Sequence, residues 1–339
     1  MIKEQDQNLL EAEFYSKPFY FSYSGLNTLL DSPVVFYKEY VLKQKEDGIK
    51  KYLLEGTLIH YLLLENHGFD DKFVVLPGTL PSENNMLIAD RIFNEFYPVR
   101  GDTSLELQDF EQDIDDILKE INLHQAVKDR DKRLAKVIDD RTKEYFKFLK
   151  TKQDKTLIDS AILDKATHRA DIAKSNHHIR KLLGMDLNPD GKTIGVYNEL
   201  ELSIEPSELG LPFGFHGTLD NMVVDVNTKT VYINDFKTTS KKLKDFQESV
   251  DMWNYWLQAV MYITLVRKFL SKVMTDEWKI EFRFVVFDKY DQVYAFPVSD
   301  ETLATWFTAF ETVKLEAKYH YESKDFSLPF AFVMGNVKL

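Results

Sequence analysis

At 339 residues with 44% apolar content, the chain is long enough to bury a large core, as one elaborated domain or two modest ones. The absence of cysteine excludes disulfides, a thiol nucleophile, cysteine-ligated zinc and an iron–sulfur cluster, so any chemistry must use oxygen and nitrogen groups. A net charge of −12, from 43 basic and 55 acidic side chains, argues against coating nucleic acid through a globally basic surface.

Residues 1–6 lack a secretory core, and no apolar run approaches the roughly 18–20 residues of a membrane span, so a cytoplasmic protein with no membrane partner is expected. Apolar residues at three- and four-residue spacing predict helices over 24–30, 33–45, 50–65, 81–96, 105–121, 125–149 and 164–183. Turn signals at 46–48, 66–68, 77–78 and 100–102 separate them. Charge is uneven along this half. Residues 101–120 hold eight acids against the single base Lys119, and residues 128–155 hold eleven bases against six acids. Solvated helix faces account for such runs.

From residue 192 the pattern changes to alternation, predicting strands over 193–204, 213–226 and 230–237. A helix over 250–271, strands over 278–287 and 292–297, and a helix over 300–319 complete the order. Strands with helices on both sides imply an α/β fold, a three-layer α/β/α sandwich with a mixed central sheet and a large helical N-terminal region. The expected division is a mainly helical part at 1–190 and a core at 191–339, read as one integrated domain.

The chemistry concentrates in the strands around residue 227. A tight turn at Asn227-Thr228 folds the two runs together so that Val224 faces Val231, Met222 faces Ile233 and Asp220 faces Asp235. Lys237 shares the face of Asp235, with Val231 and Ile233, while Tyr232, Asn234 and Phe236 take the other. Like charges opposite each other destabilise a hairpin, so this register makes sense mainly if a cation sits between the carboxylates. A structural ion pair between Asp220 and Lys237 is the bland alternative.

Neighbouring residues add to the pattern. Glu199, Glu201 and Ser203 share one face of their strand, so a third carboxylate is available from either glutamate. Gln258 and Tyr262 lie at i and i+4 on one helix face, and Gly56 and His60 lie one turn apart on another. Lys241, Lys242 and Lys244 follow the Asp-x-Lys strand, where a phosphate backbone would have to be held.

The arrangement Asp220…Asp235-Phe236-Lys237 resembles the signature of the PD-(D/E)xK metal-dependent nucleases. Gly56-x-x-x-His60, Gln258-x-x-x-Tyr262 and the opening segment from Tyr23 to Tyr37 resemble its RecB-like branch, with Ser32 where iron–sulfur members carry cysteine. The order of these motifs, together with Thr238-Thr239 after the lysine, is most similar to the exonuclease VIII (RecE-like) exonucleases of phages. Gly217-Thr218-Leu219 replaces the basic residue usual before the first aspartate of that group. No Walker-type run is present, so an ATP-driven helicase is not encoded.

The resemblance implies a restriction-endonuclease-like core that hydrolyses phosphodiester bonds at duplex DNA ends, 5′ to 3′, for recombination or phage DNA processing. It implies Mg²⁺, with Mn²⁺ as substitute, held by Asp220, Asp235 and the Phe236 carbonyl, with His60 and Glu201 as further ligands. Lys237 would orient the attacking water, and Gln258, Tyr262, Thr238, Lys241 and Lys242 would contact substrate. A single-strand annealing protein and a homo-oligomer are the implied partners. The alternatives are a catalytically inert module of the same fold that binds nucleic acid or protein, and a restriction-type endonuclease.

Overall fold

The alternation beginning at residue 193 folds into strands close to the expected bounds, in a computed structural model that describes residues 4–44, 51–65, 68–76, 78, 80–152, 155–187, 193–335 and 337. The turns expected at 46–48, 66–67 and 77 fall outside the described residues. The chain divides into two compact units, one formed by Met1–Glu65 with Thr167–Leu339 and the other by Asn66–Ala166.

The strands are β1 (Tyr20–Phe21), β2 (Phe73–Val75), β3 (Thr156–Ile158), β4 (Ile194–Ile204), β5 (Gly214–Asp225), β6 (Thr230–Thr238), β7 (Lys279–Phe287) and β8 (Val293–Pro297). Six of them form a mixed sheet in the first unit, while β2 and β3 make a short parallel pair in the second. Within the large sheet, β6 and β7 are parallel, whereas β4–β5, β5–β6 and β7–β8 are antiparallel.

The position of the site follows from how β5 is flanked. Strand β4 runs along one edge of β5 almost throughout, from Phe215 to Asp225. The other edge is shared: β6 pairs with Asn221–Asp225, and β1 pairs in parallel with Gly214 and Phe215. Residues 216–220 therefore have no ladder partner on that edge among the described residues. The opening lies between two segments of backbone that the sheet holds rigid.

The registers place Met222, Val224, Val231, Ile233, Phe282, Phe284 and Val286 on one face, all buried in a single core. Leu257, Val260, Met261 and Ile263 of the Tyr255–Phe269 helix, and Phe310 and Val313 of the Asp300–Ser323 helix, complete that core. Asp235 and Lys237 continue the same face, so an apolar stripe turns ionic at its end. On the opposite face, Asn221 and Asn234 reach Leu183 and Leu182 at the end of the His177–Leu182 helix.

Three long helices of the sequence reading are broken, two at Asp or Asn side chains that cap a new helix and the third at a left-handed Asn. The span 125–149 divides into Arg130–Leu134 and Asp140–Lys152, because Asp129 accepts from Lys132 N and Asp139 accepts from Thr142 N. The span 164–183 breaks at Asn176, which accepts from Ile179 N. The span 250–271 becomes Phe246–Met252 and Tyr255–Phe269. Asn254 sits between them with φ 52°, its amide donating to Asn27 Oδ1 at 2.8 Å. The helix expected over 33–45 ends at Val41 in a π-helical turn, Tyr37–Val41. Helix Glu4–Phe14 and the two-residue β1 carry no periodic signal long enough to read.

In the second unit most charges of the acidic and basic runs are exposed, as solvated faces, but a few pair across the two runs. Arg133 Nη2 lies 2.6 Å from Asp115 Oδ1, with both residues buried, and Lys150 pairs with Glu106 at 3.1 Å. Lys119 holds the other Asp115 oxygen at 2.9 Å, and bonds from Lys119 and Arg133 keep the Asp115 carboxyl below its ordinary pKa. Removing this carboxylate leaves a buried guanidinium without its counter-ion. Asp115→Ala is expected to lower unfolding stability in urea by about 3–5 kcal/mol. A loss below about 1 kcal/mol would mean that solvent compensates the pair.

Candidate metal centre

The hairpin forms in the expected register, with Val224 opposite Val231 and Met222 opposite Ile233. Asp225 pairs with Thr230 and closes a four-residue loop, 226–229, in which Asp225 Oδ1 accepts from Asn227 N and Thr228 N. Lys229 takes φ 52° to return the chain. The ladder stops at Asn221–Asn234. One step further, where Asp220 would meet Asp235, the strand backbones part and the Asp220 side chain enters the gap. Its Oδ2 accepts from Phe236 N at 2.6 Å, replacing the missing rung.

His60 arrives from the end of the Lys51–His60 helix, immediately before a π-helical turn, Tyr61–Glu65. Its Nδ1 lies 3.5 Å from Asp220 Oδ1 and 4.0 Å from Glu199 Oε1. The ring also packs on Phe236, with centroids 5.5 Å apart. One donor atom from each of His60, Glu199 and Asp220 falls within 4.8 Å of the others. Glu199, not Glu201, supplies the glutamate of this cluster. It lies between the rungs Asn198–Asn221 and Leu200–Leu219, opposite Asp220, with a left-handed φ of 47°. Glu201 stands a rung further on, opposite Thr218, exposed and outside the cluster.

Asp235 is the more deeply buried aspartate, 1% exposed against 8% for Asp220. Burial is the main cause that raises its carboxyl pKa, to about 7, and nearby Asp220 adds to the rise while Lys237 opposes it. Its Oδ2 faces the Lys237 ammonium, and its Oδ1 has no hydrogen-bond partner among the described residues. Burial works against the charge of Lys237, but Asp235 and Asp220 outweigh it and hold the ammonium above the ordinary lysine value. The Lys237 Nζ also lies 4.8 Å over the Tyr255 ring and 3.4 Å from the Phe236 carbonyl. Lys237 therefore pairs with Asp235 and forms no direct ion pair with Asp220.

Other expected site residues take different positions. Gln258 and Tyr262 are buried and bonded to each other, Nε2 to hydroxyl at 2.9 Å, beneath the carboxylates and away from any open surface. Burial chiefly, with Asp235 and Asp220 beside it, raises the Tyr262 hydroxyl pKa well above its usual value. Gly217 makes room for this tyrosine, since a Cβ there would lie 2.9 Å from Tyr262 Cε1. Gly56 lies against Thr238 with no such constraint, because an added Cβ would come no closer than 4.0 Å to Thr238 Oγ1. Lys241 pairs with Glu248 at 2.6 Å and Lys244 with Asp245 at 3.8 Å, while Lys242 is exposed. Tyr255, under Lys237, escapes the sequence reading, whereas Tyr23, which opens the segment running to Tyr37, bonds the Trp253 carbonyl through its hydroxyl, and its pKa is raised mainly by burial and then by Tyr255 and Asp235. No local spacing marks Tyr255.

An imidazole nitrogen, two carboxylates at the mouth of the gap and the unpaired Asp235 oxygen form a donor set suited to a hard divalent cation. Among the described residues, the Lys237 ammonium lies against Asp235 and the His60 ring against Asp220.

Residues 20–324 match the family model of the PD-(D/E)XK nuclease superfamily, and the chain belongs to that superfamily. The mixed sheet flanked by helices is the restriction-endonuclease-like fold expected of it. Nucleases of this superfamily use divalent metals. No curated protein matches the sequence. Among solved structures, an exonuclease candidate from Eubacterium rectale aligns over 100% of this chain and 88% of its own, at 12% identity and a TM-score of 0.44. Among the described residues, no helix is long and apolar enough to cross a membrane.

The raised Asp235 pKa fixes the sign of a metal effect. A carboxyl whose folded pKa exceeds its unfolded value of about 4 stabilises the metal-free protein fully below that value, and this stability is lost as pH rises toward about 7. A cation competes with the proton, so added Mn²⁺ is expected to raise the melting temperature more at pH 7.5 than at pH 5.5. Thermal melts with and without Mn²⁺ at both pH values check this. An increment independent of pH would contradict it.

Proposed function

We propose that this chain is a divalent-metal-dependent exodeoxyribonuclease of the exonuclease VIII (RecE-like) kind, hydrolysing phosphodiester bonds at duplex DNA ends. The observation that carries the reading is the convergence of His60, Glu199 and Asp220 beside the buried Asp235–Lys237 pair. Polarity, 5′ to 3′, and a role in recombination or phage DNA processing come from the motif order alone. Residues 191–339 form the nuclease core in this reading, and the helical first part contributes the Gly56/His60 helix.

His60, Glu199, Asp220 and Asp235 would hold Mg²⁺, or Mn²⁺ in its place, with the Phe236 carbonyl at the same mouth. Such an ion, when bound, would supply Lewis-acid chemistry toward the phosphate and a more acidic water. Asp235 and Asp220 keep Lys237 protonated, so it orients the nucleophile and stabilises charge growing on the phosphoryl oxygens and does not act as a general base. Tyr255 beneath the ammonium limits where it can point. Gln258 and Tyr262 brace this arrangement from below. Lys242, Lys241 and Thr238 lie along the exit of β6, placed to meet the DNA backbone. A homo-oligomer would provide processivity, and a single-strand annealing protein would receive the exposed strand.

Asp235→Ala and Lys237→Ala are each expected to slow digestion of linear duplex in Mg²⁺ by about 100-fold or more. Wild-type protein should degrade the linear duplex and leave covalently closed circles intact. A double variant that still digests linear DNA ends the proposal, and nicking of circles assigns an endonuclease instead.

A further inference from the structure

Directly across β4, β5 and β6, three asparagines occupy one row: Asn198 is registered with Asn221, and Asn221 with Asn234. Asn221 and Asn234 are both fully buried. Their amides bond in a single direction. Asn234 Nδ2 donates to Asn221 Oδ1 at 2.7 Å, Asn221 Nδ2 donates to Asn198 Oδ1 at 2.8 Å, and Asn198 Nδ2 donates to the Leu64 carbonyl at 3.0 Å. Second bonds run from Asn221 to Leu183 O at 3.2 Å and from Asn234 to Leu182 O at 3.1 Å.

Each member is the chain neighbour of an acidic site residue: Asn198 precedes Glu199, Asn221 follows Asp220 and Asn234 precedes Asp235. Adjacent strand residues point to opposite faces, so the amide row backs the carboxylate row one residue along. The row also coincides with the last rung before β5 and β6 separate. Its outer bond reaches the π-helical turn that begins directly after His60. Four prospective ligands are thus tied through one hydrogen-bonded chain, although no amide touches the site.

We propose that Asn198, Asn221 and Asn234 are positioning residues that fix the spacing of His60, Glu199, Asp220 and Asp235 for metal binding. The inference rests on the metal-dependent reading above. The amides hold three strands together at the point where crowded carboxylates push them apart, and a chain of like-directed bonds strengthens each member. Loss of one amide lets the carboxylates relax away from each other, which a cation must then reverse on binding.

The test is calorimetric titration of Mn²⁺ into the full chain, with metal-free melting curves alongside, for wild type, Asn221→Ala and Asn198→Ala. Titrations run well below each melting temperature, where a purely stabilising role leaves affinity untouched. The expected result is a ten- to hundred-fold weaker Mn²⁺ affinity in both variants at unchanged stoichiometry, the range typical of groups that orient metal ligands. Should Asn221→Ala fail to fold, Asn198→Ala decides, because Asn198 lies at the accessible end of the row. Wild-type affinity in a folded variant whose melting temperature has dropped would overturn the proposal and leave the row as a structural staple. Absence of Mn²⁺ uptake by the wild type is a different outcome, which removes the metal-dependent reading and this inference with it.

Discussion

The structure is organised around a concentration of negative charge that the sheet alone cannot neutralise. Glu199, Asp220 and Asp235 come from three adjacent strands to one level of the sheet, with the Lys237 ammonium paired to Asp235. Such crowding disfavours a continuous hairpin, and the β5–β6 ladder ends where the charges would face each other. The shared edge of β5 accommodates this. With β1 docked at one end and β6 at the other, the strand can open in the middle without losing its place in the sheet.

The two faces of the sheet then supply different things. The Lys51–His60 helix lies against Phe236 and Thr238 and delivers an imidazole into the opening. From the core face, the Tyr255–Phe269 helix places Tyr255 under Lys237 and the Gln258–Tyr262 pair below the aspartates. Gln258 and Tyr262 are both largely buried and bonded to each other. Their burial excludes water from beneath Asp235, which sustains both its raised pKa and the strength of its pairing with Lys237.

Much of this is legible in the sequence. The hairpin register followed from apolar alternation on both sides of Asn227-Thr228, and with it the placement of Asp235 and Lys237 at the end of an apolar stripe. The choice between Glu199 and Glu201 did not follow, because ideal alternation puts both on one face. The left-handed backbone at Glu199 separates them, and ideal alternation carries no sign of it. Helical periodicity likewise grouped Gln258 with Tyr262 but gave no sign that their shared face turns inward. The breaks at Asp139, Asn176 and Asn254 leave no mark in the sequence because each residue lies inside a run whose apolar spacing continues on both sides. The two-residue β1 is too short to alternate, yet it divides the β5 edge on which the opening depends.

The account stands or falls on whether these side chains gather around a cation. Crystals soaked in manganese and measured at the metal absorption edge give the most direct answer. The expected result is one anomalous peak at the opening between β5 and β6, within coordination distance of His60, Glu199 and Asp220 and beside Asp235. Carboxylates turned away from each other, with no peak among them at saturating manganese, would contradict it.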